Sequence, residues 1–372
     1  MTRTSPTAVP FAALDRSTAA LHDEVNAAIG RVLERGWFVL GAEGEALETD
    51  FAAFCGSAHA IGVASGTDAI ELALRALEIG PGDEVVTQAN TCVPTVSAIQ
   101  RAGATPVLCD VEPEAGTMDP ESFRGAIGPR TCAVIPVHLY GQCADVDAIA
   151  AVGREAGVEV IEDCAQAHGA ELRDRGAGTI GRMGCFSFYP TKNLGAFGDG
   201  GAIITDDEAL AERLRLVRQY GQTDRYVHVR PGVNSRLDEL QAAVLRVKLP
   251  HIDGWNRRRD EIAAAYTEAL SGTPVRPLSV LEGRRHVFHL FVVEAEDRPA
   301  LQAHLDGRGI RTLIHYPHPV HGHKPYRSLG EGPVPLDVSE RLCERILSIP
   351  LYPELTDGEV EAVSSALAAF ER

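Results

Sequence analysis

The chain has 372 residues, of which 45% are hydrophobic and 23% are charged, and this composition is typical of a globular protein with more than one domain. Its formal net charge of −17 argues against nucleic acid and against an anionic membrane surface as partners. The longest charge-free stretch, residues 85–100, is interrupted by polar residues and a proline, and the N-terminus lacks the apolar region of a signal peptide. We therefore expect no membrane partner. Since the eight cysteines form no CxxC pair, we also expect reduced thiols and a cytoplasmic location.

Helices are predicted before the first strand, where apolar residues recur at helical spacing over 21–35 and 45–54. A short apolar strand over 60–64 then leads into Ser65, Gly66 and Thr67, which precede a strongly periodic helix. Backbone N–H groups at a helix N-terminus, together with a hydroxyl, bind phosphate, so this segment predicts an anion site. An ordinary helix cap at Ser65 or Thr67 is the alternative.

From residue 80 onward, apolar strands alternate with amphipathic helices. Strands are predicted at 84–88, 106–111, 132–139, 158–161, 185–188 and 202–205, and helices at 95–102, 120–127 and 145–156. Continuous Val, Ile and Cys runs of this kind are typical of a mainly parallel sheet buried on both faces. We therefore predict a large α/β domain.

The last third of the chain changes character. Helices over 237–249 and 255–270 lead into a region with strands predicted at 286–294 and 312–315 and helices at 298–307, 336–347 and 357–370. This pattern predicts a smaller α+β domain of ordinary size. We place the large domain at residues 1–250 and the small C-terminal domain at 251–372.

Lys192 is the most informative residue of the chain. It follows an apolar strand, is the only charge between Arg182 and Asp199, and is succeeded by four glycines before the next apolar strand. A lysine in a partly desolvated pocket has a lowered pKa, and its neutral amine attacks carbonyl groups to form a Schiff base. A solvated surface lysine is the alternative.

Asp163 follows the strand predicted over 158–161, at the edge of a sheet where ligands bind. A carboxylate there would keep a cationic ring nitrogen protonated. A helix cap is one alternative, and a metal site with Glu162, Cys164 and His168 is another, although adjacent side chains cannot all converge. A reactive lysine, an aspartate and a phosphate-binding segment together describe a pyridoxal 5′-phosphate (PLP) site.

Several stretches carry a resemblance to a known family: residues 36–41 (GWFVLG), IGVASGTDAIELALRAL, GPGDEVV, IEDCAQAHGA, FSFYPTKNLGAFGDGGAIIT, NSRLDELQAAVL and LIHYPHPVHGHKPY. From about residue 14 to residue 370 the chain resembles the DegT/DnrJ/EryC1/StrS family of PLP-dependent nucleotide-sugar aminotransferases. The resemblance implies PLP fold type I, with a mainly parallel seven-stranded sheet flanked by helices and a smaller C-terminal α+β domain.

The resemblance also implies roles for single residues. Lys192 is the Schiff-base lysine, Asp163 pairs with the pyridine nitrogen, and Gln166 lies near the phenolic oxygen of the cofactor. The phosphate is bound by Ser65, Gly66, Thr67 and Ser187, and by Asn234 of a neighbouring subunit, which implies a homodimer with shared sites. Cys92 departs from the family pattern, because an aromatic residue commonly stacks on the cofactor at this position.

The implied reaction transfers an amino group from an amino acid, which is L-glutamate in the family's usual pattern, to a keto group of a nucleotide-linked, dTDP-type deoxysugar. The form of residues 310–317 favours C3 of the sugar. The predicted substrate residues are Tyr189, Arg225, His315, Tyr316 and His321. The histidine spacing of this loop fits no common zinc signature, so no metal is expected. A 4-keto substrate, a PLP-dependent sugar dehydratase or lyase, and a non-catalytic regulatory protein of the same fold are the alternatives.

Overall fold

The computed structural model describes residues 8–371. The α-helices of this part are α1 (Leu14–Ala20), α2 (His22–Arg35), α3 (Ala42–Cys55), α4 (Gly66–Ala76), α5 (Val93–Ala102), α6 (Pro120–Ala126), α7 (Val146–Ala156), α8 (Glu208–Val217), α9 (Glu239–Lys248), α10 (Ile252–Ala269), α11 (Arg298–Asp306), α12 (Asp337–Arg345) and α13 (Asp357–Ala368). Short 3-10 helices lie at Leu139–Gly141, Leu249–His251, Val320–Gly322 and Lys324–Glu331.

The strands are β1 (His59–Val63), β2 (Glu84–Gln88), β3 (Thr105–Cys109), β4 (Thr131–Ile135), β5 (Glu159–Asp163), β6 (Glu171–Leu172), β7 (Arg175–Gly176), β8 (Met183–Ser187), β9 (Gly201–Thr205), β10 (Gln222–Asp224), β11 (Val227–His228), β12 (Arg276–Pro277), β13 (Arg284–Arg285), β14 (Phe291–Glu294) and β15 (Ile346–Ile349). Seven of them form one sheet in the order β1-β9-β8-β5-β4-β2-β3. Only β9 runs against its neighbours in this sheet. The predicted mainly parallel α/β sheet is confirmed.

Helices cover both faces of this sheet, which explains why its strands are apolar along their whole length. Helices α3, α6, α7 and α9 contribute to one buried cluster, and α4, α5 and α8 contribute to another. Strands β8 and β9 are buried at every position. Because the carboxyl ends of the parallel strands meet at one edge, the loops that follow β5 and β8 are brought together there.

The C-terminal part contains a three-stranded antiparallel sheet in the order β12-β14-β15, packed against α10, α11 and α13. Two residues from the other end of the chain, Val9 and Ala13, belong to the same apolar core, and Val9 pairs with Ile310. The division at residue 250 stays a prediction. None of the helices within residues 8–371 combines the length and the apolarity that a transmembrane helix needs.

Three predictions for the C-terminal part were wrong in detail. The strand predicted over 286–294 is confined to β14. Phe288 has a positive φ of 41°, and the backbone N–H groups of Val287 and Leu290 donate to the carbonyls of Gly141 and Tyr140 instead of to a neighbouring strand. The strand predicted over 312–315 is only an isolated bridge from Leu313 to Ser348. The helix predicted over 336–347 ends at Arg345, and the next four residues form β15, which is buried at every position.

Candidate active site

A cavity of about 440 Å³ lies at the carboxyl edge of the large sheet. It brings together most of the residues predicted for the site: Ser65, Gly66, Thr67, Cys92, Asp163, Gln166, Ser187, Tyr189, Lys192, His315 and Tyr316. These residues come from both parts of the chain. The cavity therefore lies between the large sheet and the C-terminal part.

Lys192 lies in the loop between β8 and β9. Its backbone N–H donates to the Tyr189 carbonyl (2.8 Å), which closes a tight turn. Within residues 8–371 its Nζ has no hydrogen-bond or ion-pair partner, and burial lowers the pKa of its ammonium group. A larger neutral fraction makes this amine a candidate nucleophile.

The glycines of the loop that carries Lys192 allow close approaches between parts of the chain. A Cβ at Gly195 would lie 2.3 Å from the Pro190 carbonyl oxygen, and a Cβ at Gly200 would lie 2.9 Å from Leu237. These two glycines let the loop fold back on itself and pack on the segment before α9.

Asp163 is the last residue of β5, and its side chain is buried. One carboxylate oxygen accepts a hydrogen bond from the Thr95 hydroxyl (2.9 Å), and the other accepts one from the Ala165 N–H (3.1 Å). Burial raises the pKa of this carboxyl group, while these two donors and the nearby Lys192 act in the opposite direction. Within residues 8–371 no cation lies within ion-pair distance of it, so a cationic ligand group would offset the cost of its burial.

The opposite end of the cavity is formed by the N-terminus of α4 and the end of β8. Ser65 caps this helix by accepting a hydrogen bond from the Asp68 N–H (3.1 Å), so the alternative of a helix cap is correct for Ser65. A Cβ at Gly66 would lie only 2.7 Å from the Ser187 Cβ. The glycine thus keeps open a space into which helix N–H groups point, as anion binding requires.

Gln166, Tyr316 and Cys92 form a connected group at the side of the cavity. The Gln166 side chain accepts from the Tyr140 N–H (2.7 Å) and donates to the Tyr316 hydroxyl (3.2 Å). The Tyr316 hydroxyl in turn interacts with the Cys92 thiol, whose pKa is raised by burial. The side chain at position 92 is therefore held by Tyr316 rather than stacked as an aromatic residue would be.

Three predicted site residues lie away from the cavity. Asn234 is exposed after the 222–228 hairpin, and Arg225 lies on that hairpin with its guanidinium 5.2 Å from the Tyr226 ring centroid. His321 bonds to Glu340 (3.0 Å) beside α12. Four further arginines that could bind a diphosphate do not line this cavity either: Arg230, Arg236, Arg284 and Arg285. Their roles stay predictions.

The metal alternative for the segment after β5 is disfavoured by hydrogen bonding. His138, Glu162 and Cys164 approach one another closely enough to hold an ion. Both Glu162 oxygens, however, already accept backbone N–H groups, and one also accepts from His138 Nε2 (2.8 Å). His138 Nδ1 accepts from the Ala144 N–H (3.1 Å), so this histidine is a neutral Nε2–H tautomer without a free lone pair.

Two residues of the cavity were missed by sequence reasoning. Thr95 lies inside the first turn of α5 and reaches Asp163, and nothing in the sequence distinguishes it from a helix-surface threonine. His289 is buried, lines the cavity and bonds to Asn193 (3.1 Å). A histidine within an apolar run was a usable signal in that case.

The residues present fit PLP. Among the described residues, the Lys192 amine has no hydrogen-bond partner and the buried Asp163 carboxylate has no ion-pair partner, and the α4 N-terminus offers an anion site. The space between Gly66 and Ser187 would be filled by a single added Cβ. These features match the carbonyl, ring nitrogen and phosphate of that cofactor, respectively.

Comparisons with known proteins agree with this chemistry. The chain is 48% identical over 362 residues to the dTDP-3-amino-3,4,6-trideoxy-alpha-D-glucose transaminase of Streptomyces venezuelae, covering 96% of this chain and 95% of that protein. The crystal structure of S. venezuelae DesV in complex with a ketimine intermediate superposes with a TM-score of 0.94 at 46% identity, covering 97% of this chain and 98% of that one. NtdA from Bacillus subtilis with bound cofactor PMP superposes with a TM-score of 0.91 at 30% identity, covering 99% and 86%. Residues 19–368 match the DegT/DnrJ/EryC1/StrS aminotransferase family, and the chain is a PLP-dependent member of that family.

Proposed function

We propose that this protein transfers the amino group of an amino acid, L-glutamate, to the C3 keto group of a dTDP-linked deoxysugar. The observation that carries the proposal is the single cavity in which Lys192, Asp163 and the α4 N-terminus converge. The choice of sugar is supported by the 48% identical relative, whose name specifies a dTDP-3-amino sugar. The form of residues 310–317 favours the same carbon.

Lys192 has two tasks in this reaction. Its Nζ would hold PLP covalently, and when free the same amine would take the proton from the α-carbon of the donor. The lowered pKa of Lys192 suits both tasks, since a neutral amine is needed each time. PLP, when bound, supplies an electron sink for the charge that this proton loss leaves behind.

The other residues of the cavity bind and orient. Asp163, held by Thr95 and the Ala165 N–H, pairs with the ring nitrogen. The N–H groups at the start of α4, with Thr67 and Ser187, bind the phosphate. Tyr189, His315 and Tyr316 line the same cavity, and we place the sugar beside them. His315 is fixed by a bond between its Nδ1 and the Ser348 hydroxyl (2.8 Å).

We infer that a second copy of the chain completes the site. Arg225 and Asn234 lie outside the cavity of their own chain. Arg225 is on the 222–228 hairpin, which exposes apolar side chains to solvent, and Asn234 follows that hairpin. Tyr226 is 79% exposed, Val227 is 50% exposed and Val229 is 59% exposed. Exposed apolar residues grouped in this way favour a protein interface. In a two-fold dimer each hairpin would reach the site of the partner subunit, where Asn234 would bind the phosphate and Arg225 the nucleotide.

A cytoplasmic location is part of the same proposal. It is supported by the eight cysteines, all of which are free thiols in the structure.

The test is the reverse half-reaction with purified enzyme loaded with PLP. We expect dTDP-3-amino deoxysugars to convert the absorbance of the PLP form to that of the amine form, and dTDP-4-amino sugars to leave it unchanged. The Lys192→Ala variant should show no absorbance change with either kind of amino sugar. Bleaching by 4-amino sugars alone would overturn the C3 assignment, and sugar turnover without 2-oxoglutarate release from L-glutamate would indicate a lyase.

A further inference from the structure

A second cavity, of about 400 Å³, adjoins the first one at Lys192. Thr191, Lys192, His289, Leu290 and His315 line both cavities. Most of the remaining wall of the second cavity comes from residues 11–18, the loop at 193–197, helix α10 and the segment 351–354, and Pro190, Lys248 and Leu313 complete it. A molecule in this space would thus lie next to the amine of Lys192 without occupying the cofactor's position.

Two buried cations line this second cavity. Lys248 is 6% exposed and Arg259 is 7% exposed. The Lys248 ammonium donates to the Gly195 carbonyl (2.7 Å) and lies 4.5 Å from the Phe197 ring centroid. The Arg259 guanidinium donates to the carbonyls of Phe288 (3.1 Å) and Leu351 (3.0 Å), and its Nε has no hydrogen-bond partner among the described residues.

Neither cation has a carboxylate partner within residues 8–371, since no acidic oxygen lies within 4 Å of either one. Glu354 also lines the cavity and is near enough to raise the pKa of both groups, yet it stays outside ion-pair distance. Burial nevertheless lowers the pKa of Lys248 to about 8 and that of Arg259 to about 10. Two buried cations that face one acidic group leave the cavity with a surplus of positive charge, which an anionic ligand would offset.

We propose that the second cavity binds the side-chain carboxylate of a dicarboxylic amino donor, with Lys248 and Arg259 as its counter-charges. The proposal rests on the proposed function, because an amino donor must place its α-carbon beside Lys192. We place its side chain in the second cavity, because that cavity adjoins Lys192. An amino acid without a second carboxylate, such as L-alanine, would leave the two cations unpaired.

A purely structural role is the competing explanation. The two side chains would then serve only to hold the carbonyls of Gly195, Phe288 and Leu351. Such tethers would influence folding and cofactor binding, and would therefore affect every substrate equally. Selection between donors distinguishes the two explanations.

The experiment measures single-turnover conversion of the PLP form by L-glutamate, by L-alanine and by a dTDP-3-amino sugar. In Lys248→Met we expect the apparent Kd for L-glutamate to rise about 10- to 100-fold, as for the loss of a hydrogen bond to a charged group. The values for L-alanine and for the amino sugar should stay within about twofold. Arg257→Met is the matched control, because Arg257 is exposed on α10 two residues from Arg259 and should change none of the three. Lys248→Arg should restore most of the glutamate affinity.

Equal losses for all three substrates in Lys248→Met, or no loss for L-glutamate, would overturn the proposal. If the variant does not fold, the wild-type holoenzyme still provides a test with glutarate, a dicarboxylate that lacks the amino group. Glutarate should compete with L-glutamate and raise the melting temperature of the holoenzyme, and the absence of both effects would also overturn the proposal. A wild-type enzyme that binds PLP but reacts with no amino donor would instead contradict the proposed function.

Discussion

Gly66 determines whether the phosphate end of the cavity stays open. A methyl group at this position would lie 2.7 Å from the Ser187 Cβ and 3.2 Å from its Cα, and β8 cannot move because it is buried at every position. We expect Gly66→Ala to weaken PLP binding about tenfold or more, since overpacking of this kind costs about 1–3 kcal/mol. An absorbance titration of the unloaded enzyme with PLP measures the effect.

The control for this substitution is Gly358→Ala in α13, where an added Cβ meets nothing within 4 Å. It should leave PLP affinity unchanged. Equal PLP affinity of Gly66→Ala and wild type would show that the gap between Gly66 and Ser187 does not serve the cofactor.

Among single residues, the sequence was most informative where a charged side chain lies next to an apolar strand. Burying a lysine between apolar strands, or an aspartate at a strand end, costs free energy unless the charge acts on a ligand. Lys192 and Asp163 could therefore be predicted from the sequence. Thr95 was not, because a threonine near a helix start is common and its role depends on which strand lies opposite. Lys248 and Arg259 were also hidden, since each lies in a helix with a polar pattern and only packing buries it.

Helices α1 and α13 are joined by one ion pair. Arg16 donates to both oxygens of Glu359 (2.7 and 2.8 Å), and Glu359 also completes the capping box of α13 with Thr356. The hydrogen bond from Arg16 is the main cause that lowers the pKa of Glu359 from 4.5 to about 2. A lowered folded-state pKa gives stability that is complete above about pH 4.5 and is lost as the pH falls toward 2.

We therefore expect Glu359→Gln to lower the free energy of unfolding at pH 7 by about 1.5–3 kcal/mol. The difference from wild type should shrink as the pH falls from 4.5 toward 2, and thermal unfolding midpoints across that range measure it. Glu155→Gln removes the exposed pair with Arg124 and should cost less than about 1 kcal/mol. A difference between Glu359→Gln and wild type that stays constant down to pH 2 would contradict the assignment.

The strands and helices of the large domain were predictable because segments with the apolar spacing of a strand alternate there with segments of helical spacing, with glycines between them. Strand β2 was predicted at its observed bounds.

The helix wrongly extended over residues 346 and 347 has a physical cause. Ile346 to Ile349 continue the apolar spacing of α12, and only pairing with β14 makes them a strand. A short apolar run fits either structure until its partner is known.

The exposed hairpin at residues 222–228 predicts that active sites are shared between subunits. If Asn234 binds the phosphate in the partner's site, a dimer of one Lys192→Ala subunit and one Asn234→Ala subunit contains one site with both defects and one site with neither. Each variant alone should have little activity, the first for lack of the amine and the second through weakened PLP binding. After unfolding and refolding of an equal mixture, half of the dimers are hybrids, so activity should recover to about a quarter of wild type.

The absence of recovered activity would contradict shared sites. If Asn234 acts within its own chain, the hybrid contains one site without the lysine and one without the asparagine, and mixing restores no activity. The measurement is the L-glutamate half-reaction after mixing, with refolded wild type as the reference and with light scattering to confirm the dimer. Recovery would place Asn234, and with it the hairpin that carries the 79% exposed Tyr226, near the subunit interface, because Asn234 would then act in the partner's site. One chain alone would then hold the amine, the carboxylate and most of the phosphate site, and dimerisation would be a requirement for catalysis.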